Sequence, residues 1–472
     1  MQNNKFELTG KTVLVMGLGR FGGGVDVARF AHSAGSKVIV TDLSSTEQLS
    51  DSMDQLRDLD SIEFHLGSHA PADFEQADMI VANPAVPGDN KFLQIARRAN
   101  RFVTSQIGIF FELCPARTIG ITGANGKSTT TALTAHLLKN TSHEPRATSY
   151  EHVWLSGNIG NQPLLTVLDQ IKPNDLVVLE LSSFQLEQLA EIQKAPDVAL
   201  LTNLTPNHLD RYGTFEKYCV AKENIFKYQK PNDGHPAVSI FNAEDEIAAE
   251  WFERYKNNAD RTCIKFSADE AIDDLRSCYA LPGRANLSNL AAAMAISKYF
   301  GAEDDQIKHC LPEFKALPHR LELIEEIRGV RWYNDSKATT PEGAITALDA
   351  FDQPIIIIAG GYDKNLPFDK LSEKIAQKAK AAILIGQTAP KIAESIKEHK
   401  QLRIEKRVTS HESRATKTEI ANSLSQAVNI ANHLAEPIDV VLLSPACASY
   451  DMFENYEQRG TEFTKLVRSL TG

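Results

Sequence analysis

A lysine and a serine at the end of a short glycine loop are the first residues here whose types and spacing could do chemistry. They lie in Gly123-Ala-Asn-Gly-Lys-Ser128, with Thr129 following. Backbone N–H groups in such a loop, together with the positive end of a helix dipole, form a cradle for phosphate. Lys127 would add a cation to the outer phosphates, and Ser128 a hydroxyl to Mg²⁺. The loop is shorter than the common phosphate loop, whose first glycine would fall at Ile121. Four further residues invite the same attention. Glu180 ends the apolar run Leu176–Leu181, where a buried carboxylate needs either a cation such as Mg²⁺ or a structural salt bridge. His208 and Asp210 lie in the loop after Val198–Thr202, where parallel sheets carry their chemistry. Lys222 falls on the apolar stripe Phe215, Tyr218, Cys219, Ile225, Phe226 of a helix capped by Thr214. Its stem either snorkels past the core or points into a site.

The elements that must position these groups follow from pattern. Ile119 and Ile121 end a buried strand, and Ser128 onward reads as a helix. Upstream, strand Thr12–Met16 leads into Gly17-Leu-Gly-Arg-Phe-Gly22. A helix carrying Val25, Ala28, Arg29 and Phe30 follows and stops near Gly35, and then comes strand Lys37–Thr41, ending in Asp42. This is the dinucleotide-binding fingerprint, which taken alone points to NAD, although the same turn serves any nucleoside diphosphate. Strand Met79–Ala82 runs into the rim loop Asn83-Pro-Ala-Val-Pro-Gly88. Ser156-Gly-Asn-Ile-Gly160 is a second small polar loop, and Asn286 and Asn289 are spaced so that their amides could read a purine edge. Leu317-Pro-His-Arg320 reads as a hinge. Beyond it, strands Val330–Tyr333, Pro354–Ala359 and Val440–Leu443 end in the polar loops Asn334–Thr339, Gly360–Lys364 and Ser444–Ser449, with Ala382–Ile385 a fourth strand. Glu405–Glu419 reads as a surface loop. The expected architecture is α/β in three tandem domains. These are a Rossmann-like domain at 1–105, a P-loop ATPase-like domain at 106–316 and a Rossmann-like domain at 317–472.

Composition limits the function classes. A chain of 472 residues is too long for one core, and 24% charged with 42% hydrophobic residues is ordinary for a soluble protein. A net charge of −11 argues against nucleic acid as the main partner. Six scattered cysteines without a Cys-x-x-Cys pair suggest reduced thiols. The first residues lack a signal-peptide pattern, and apolar runs such as Ile355–Ala359 are far too short to span a bilayer. The expectation is a cytoplasmic monomer.

Taken together, ITGANGKST, SGNIG, ELSSFQLE, NLTPNHLDRY, LPGRANLSN, LPHRLE, NDSKAT, GGYDK and LSPACASYDMFENYEQRG resemble the Mur ligases in family order. Among these, the resemblance is to the branch that adds D-glutamate. It implies that ATP phosphorylates the carboxylate of UDP-N-acetylmuramoyl-L-alanine and that the D-glutamate amine attacks the acyl phosphate. It implies two Mg²⁺ sites, one on Ser128 and Glu180, the other on His208 and a carbamate carried by Lys222. Gly123, Asn125, Gly126, Lys127, Ser128, Thr129, Asn286, Asn289, His319, Arg320 and Asp335 match ATP positions. Lys337, Thr339, Lys364, Ser449 and Tyr456 match the amino-acid pocket. Arg20, Phe21, Asp42, Asn83, Asn158, Ser182 and His208 match the UDP-substrate site. Arg20-Phe21, Tyr450 and Tyr456 depart from the family's usual residues, and the Asp-Asn-Pro-Arg motif of the diamino-acid-adding relatives is absent. Rival readings are a folylpolyglutamate synthase-like ligase and a nucleotide-binding module without turnover.

Overall fold

A computed structural model describes residues 6–141, 150–159, 163–232, 234–270, 273–405 and 416–471. The chain forms two compact units, Met1–Ala271 with Ser288–Cys310, and Ile272–Leu287 with Leu311–Gly472. The first unit carries two sheets and the second carries one.

The first sheet comprises β1 (Thr12–Met16), β2 (Lys37–Asp42), β3 (Ile62–Leu66), β4 (Met79–Ala82) and β5 (Phe102–Thr104), ordered β3-β2-β1-β4-β5. All its pairings are parallel. β1 and β4 are near-continuous apolar runs because helices cover both faces of a parallel sheet. The chain reverses direction across the sheet between β1 and β4, so the crevice at their C-terminal ends is a ligand position. The loops Gly17–Gly22 and Asn83–Gly88 open there.

The second sheet contains β6 (Arg117–Thr122), β7 (Val153–Gly157), β8 (Leu176–Glu180), β9 (Val198–Leu201), β10 (Ala237–Asn242) and β11 (Arg261–Phe266). Its order is β11-β10-β9-β6-β8-β7, again all parallel. Here the switch lies between β6 and β9, which puts the phosphate loop beside the loop that carries His208. The helix Gln106–Leu113 follows the first sheet, capped by Ser105. Its Ile107 and Phe110 share one apolar cluster with Val25 and Ala28 of the first sheet's helix and with Leu186 and Leu189.

The second unit's sheet contains β12 (Glu322–Ile327), β13 (Val330–Asn334), β14 (Ile355–Gly360), β15 (Ala379–Ile385), β16 (Lys417–Ile420) and β17 (Val440–Leu443). The order is β12-β13-β17-β14-β15-β16, with only the β12–β13 pair antiparallel. β13, β17 and β14 are neighbours, so their three polar loops emerge side by side. Of the stretch expected as a loop at Glu405–Glu419, Glu405 ends the helix Ala389–Glu405 and Lys417–Glu419 lie in β16, while residues 406–415 lie outside the described residues. Among the described residues, no helix is long and apolar enough to cross a membrane.

Candidate functional site

The phosphate loop is held by its neighbour across the switch. The Ala124 N–H donates to Asn203 O at 2.8 Å, and the Asn125 N–H to Asn203 Oδ1 at 3.0 Å. Asn203 Nδ2 and Thr202 Oγ1 both return bonds to Asn125 O, at 3.1 and 2.6 Å. Both loop glycines have positive φ, 149° at Gly123 and 80° at Gly126. A Cβ at Gly123 would collide with Thr202 Oγ1, and one at Gly126 with Asn289 Oδ1. Asn289 is buried and accepts from Thr130 Oγ1 at 3.2 Å, so its amide braces the start of the helix Lys127–Thr141. Lys127 Nζ donates to Gly123 O and Ala124 O at 3.0 and 2.9 Å, folding its charge back over the loop. Ser128 and Thr129 are buried in the helix's first turn. Such a turn presents N–H groups without intrahelical acceptors.

Beside this cradle lie two buried ionisable groups of opposite sign that do not pair with each other. Glu180 ends β8 and is 2% exposed. Its Oε1 accepts from Asn158 Nδ2 at 3.1 Å, while its buried Oε2 has no hydrogen-bond partner among the described residues. An orphaned carboxylate oxygen in a dry site costs energy unless a cation joins it. Lys222 is also 2% exposed, and this excludes the snorkelling reading. Its Nζ donates to Thr122 Oγ1 at 2.8 Å and lies 5.5 Å from the Tyr218 ring, with no carboxylate pairing among the described residues. Burial pushes the Lys222 ammonium well below the usual lysine range. The Lys127 charge pushes the same way, and Glu180 opposes them. His208 adopts a left-handed conformation, φ 52°, just before the short helix Leu209–Tyr212. Its ring packs 5.1 Å from Phe184, and burial keeps the imidazole pKa low. A neutral imidazole offers a lone pair to an electrophile or metal.

At the first sheet, Asp42 Oδ2 accepts the Gly19 N–H at 3.1 Å and Oδ1 the Ser44 N–H at 2.8 Å. Ser52 Oγ donates to Gly19 O at 2.7 Å. The Asp42 carboxylate thus ties the glycine loop to the end of β2. Asn83 lies under the same loop, where a Cβ at Gly17 would come within 2.8 Å of the Asn83 Cβ. Arg20 is exposed, and Phe21 is 85% exposed. Ser182 caps the helix Ser183–Glu191 in a reciprocal box with Gln185. Asn158 binds Glu180 with its side chain, and its N–H donates to Glu180 O at 2.8 Å. Gly160, at the end of SGNIG, lies outside the described residues.

In the second unit, Asp335 follows β13 and is buried. It accepts from Ser444 Oγ at 2.9 Å and from the Leu321 N–H at 3.2 Å. Burial raises its pKa to about 7 against these bonds and the Arg320 charge. His319 accepts or shares a bond with Asn334 Nδ2 at 3.1 Å, and its carbonyl receives the Lys337 N–H. Asn286 Nδ2 donates to Pro282 O at 2.8 Å. Both candidate lysines lie over aromatic rings. Lys337 Nζ is 5.2 Å from Tyr456, and Lys364 Nζ is 5.7 Å from Tyr450. Ser449 is buried at the end of the β17 loop, and Thr339 closes the β13 loop half-buried. Sequence reasoning assigned no role to Thr202, Asn203 or the buried Arg459. Arg459 Nε donates to Ser336 Oγ at 2.9 Å, and its other guanidinium nitrogens donate to the carbonyls of Cys447 and Ser336. A polar run directly after a buried strand, as in Thr202-Asn203, was the available signal for the first two.

A phosphate cradle at a parallel-sheet switch point, with an orphaned carboxylate beside it, defines a phosphate-handling α/β protein of the P-loop class. Family models match at residues 11–105 (Mur ligase MurD-like, N-terminal domain), 121–281 (Mur ligase middle domain) and 319–447 (Mur ligase, glutamate ligase domain). A protein of Roseiflexus sp. (strain RS-1) named UDP-N-acetylmuramoylalanine--D-glutamate ligase is 39% identical, covering 98% of this chain and all of that one. One of Clostridium tetani (strain Massachusetts / E88) with the same name is 35% identical over 98% of this chain and 97% of its own. The chain belongs to the Mur ligase family. The solved structure of MurF ligase from Thermotoga maritima in complex with ADP shares the fold, with TM-score 0.56 at 18% identity, covering 100% of this chain and 98% of that one.

Proposed function

We propose that this protein joins D-glutamate to the L-alanyl carboxylate of UDP-N-acetylmuramoyl-L-alanine at the expense of ATP, in peptidoglycan precursor synthesis. The observation that carries the reading is the unpaired burial of Glu180 and Lys222 beside the phosphate loop. A binding module has no use for a costly orphan carboxylate and a desolvated lysine at that place. The assignment of domains as 1–105 for the UDP substrate, 106–316 for ATP and 317–472 for the amino acid belongs to this proposal, as do a monomeric state and a cytoplasmic location.

The donor set fits Mg²⁺, which seeks oxygen. Ser128 and Glu180 would hold one ion, and His208 with a Lys222 carbamate the other. When bound, the ions offset charge on the transferring phosphoryl group. An ammonium cannot ligate a cation, but burial frees the Lys222 amine to add to CO₂ and lose a proton, giving a carboxylate-like group. The loop N–H groups and Lys127 bind and orient the outer phosphates, a positioning and electrostatic task. Asn289 braces that loop through Thr130 and Thr129 binds the phosphates with it, while Asn286, His319, Arg320 and Asp335 hold the rest of ATP. Asp42, Asn83, Arg20 and Phe21 hold the UDP end. Asn158, Ser182 and His208 guide the substrate's carboxylate. Lys337 and Lys364 take the two carboxylates of glutamate, with Thr339, Ser449 and Tyr456 lining the pocket.

Phosphate release tests the proposal directly. With ATP, Mg²⁺ and UDP-N-acetylmuramoyl-L-alanine, D-glutamate should support turnover, and L-glutamate or diamino acids should not. Equal turnover with a folate acceptor, or none with D-glutamate, would reject it.

A further inference from the structure

Asp26 is a buried carboxylate that no motif singles out. It lies in the first turn of the helix Gly23–Ser33, directly after the glycine loop, and is 6% exposed. Among the described residues it accepts five hydrogen bonds, all of them from the segment that follows the first sheet, at Gln106 and Leu164–Thr166. Oδ2 receives Gln106 Nε2 at 2.6 Å, the Leu164 N–H at 3.1 Å and the Leu165 N–H at 2.8 Å. Oδ1 receives the Thr166 N–H at 3.1 Å and Thr166 Oγ1 at 2.8 Å. Three consecutive backbone N–H groups converging on one carboxylate form an anion nest. The nest's occupant comes from the other domain.

The contacts continue on both sides. Toward the first domain, Asp26 is four residues past Gly22, so fixing it fixes the helix that orients the glycine loop. Toward the second, Pro163 O accepts from Ser156 Oγ at 2.8 Å, and Ser156 lies on β7. Asn158, directly after β7, grips Glu180 through both its N–H and its side chain. A line of direct contacts therefore joins the first-domain loop to the orphaned carboxylate.

We propose that Asp26 is a positioning residue, setting a substrate anchored on the first domain at the right reach from the phosphate loop. This rests on the ligase reading above. A substrate held at its uridine end by one domain and activated at its far end by another needs that span fixed, since misplacement of about 1 Å can cost about 100-fold in rate.

Asp26→Asn is the informative change. It keeps size, removes the charge, and turns an N–H₂ donor toward groups that are all donors. UDP alone reports on the first domain's site and ADP alone on the phosphate loop. The expected result is UDP and ADP affinities within about twofold of wild type, with kcat for the full reaction down about 10- to 100-fold. Thr166→Val, which deletes one of the five donors, should show the same split at about threefold. It serves where Asp26→Asn does not accumulate folded protein. Unchanged kcat in both variants overturns the proposal, as does a parallel loss of UDP affinity, ADP affinity and kcat, the mark of a merely structural role. A wild type without turnover defeats the ligase reading instead.

Discussion

Lys222→Met should move stability and activity in opposite directions. The wild-type lysine is buried, donates a single hydrogen bond among the described residues, to Thr122 Oγ1, and feels the Lys127 charge. Methionine matches the length of the stem and removes a desolvated cation. Thr122 is not orphaned by the change, because its hydroxyl still donates to Leu181 O at 2.6 Å. Burial and the Lys127 charge disfavour the Lys222 cation more than Glu180 favours it, so its removal should be neutral to stabilising. The pH dependence has a definite sign. The folded amine binds its proton less tightly than the unfolded one, whose pKa is about 10.4. Between those values the unfolded state carries the extra proton, so wild-type stability rises with pH by up to about 1.4 kcal/mol per unit. It reaches its full value above the unfolded pKa and falls as pH drops toward the folded one. The Met variant lacks this slope, so its advantage is greatest near neutrality and vanishes at alkaline pH. Urea midpoints in CO₂-free buffer from pH 7 to about 10 measure this. Turnover should drop by about 10²–10³, the scale for removing one stabilising charge contact from a transferring group. Added acetate should restore part of it by occupying the vacated position. A Met variant with near-normal turnover would refute the role given to Lys222, and one much less stable than wild type would refute the account of its burial.

Three further outcomes are expected. Lys364→Ala should raise the KM for D-glutamate about tenfold with little change for ATP, the loss of one charge-assisted bond of about 1.5–3 kcal/mol, measured by steady-state kinetics. Gly126→Ala places a Cβ against Asn289 Oδ1 at φ 80° and should cost about 1–2 kcal/mol from the left-handed backbone alone, with weakened ADP binding by titration calorimetry. Asp335 has a folded pKa of about 7, above the unfolded value of about 3.9, so it stabilises below about pH 4 and that contribution is lost as pH rises through 7. Asp335→Asn keeps an acceptor for the Leu321 N–H, and its amide N–H₂ donates to Ser444 Oγ in place of the bond that Ser444 donates in the wild type. It should therefore flatten the dependence of the denaturant midpoint between about pH 4 and 7.

The parts of the fold that could be read from sequence are those buried on both faces. β1, β4 and β17 fall where their apolar runs predict, residue for residue. β3, half-buried at a sheet edge, and β12, acidic and antiparallel, carry too little apolar signal to stand out. At the site, Lys222 was legible as a cation in an apolar stripe, and its burial excludes snorkelling at that position. Glu180 was legible as a carboxylate ending a buried strand. Asp26, Thr202, Asn203 and Arg459 were not, because their partners, most of them backbone groups, lie well away in sequence. No local pattern encodes which N–H will converge on a given side chain.

Activation of the alanyl carboxylate by phosphoryl transfer leaves an isotopic trace in the released phosphate. UDP-N-acetylmuramoyl-L-alanine with heavy oxygen in its alanyl carboxylate is incubated with the enzyme, ATP, Mg²⁺ and D-glutamate, and the released phosphate is weighed by mass spectrometry. One heavy oxygen should appear in the phosphate for each amide formed, with ADP as the nucleotide product. Phosphate without the label, or label appearing in AMP, would contradict it.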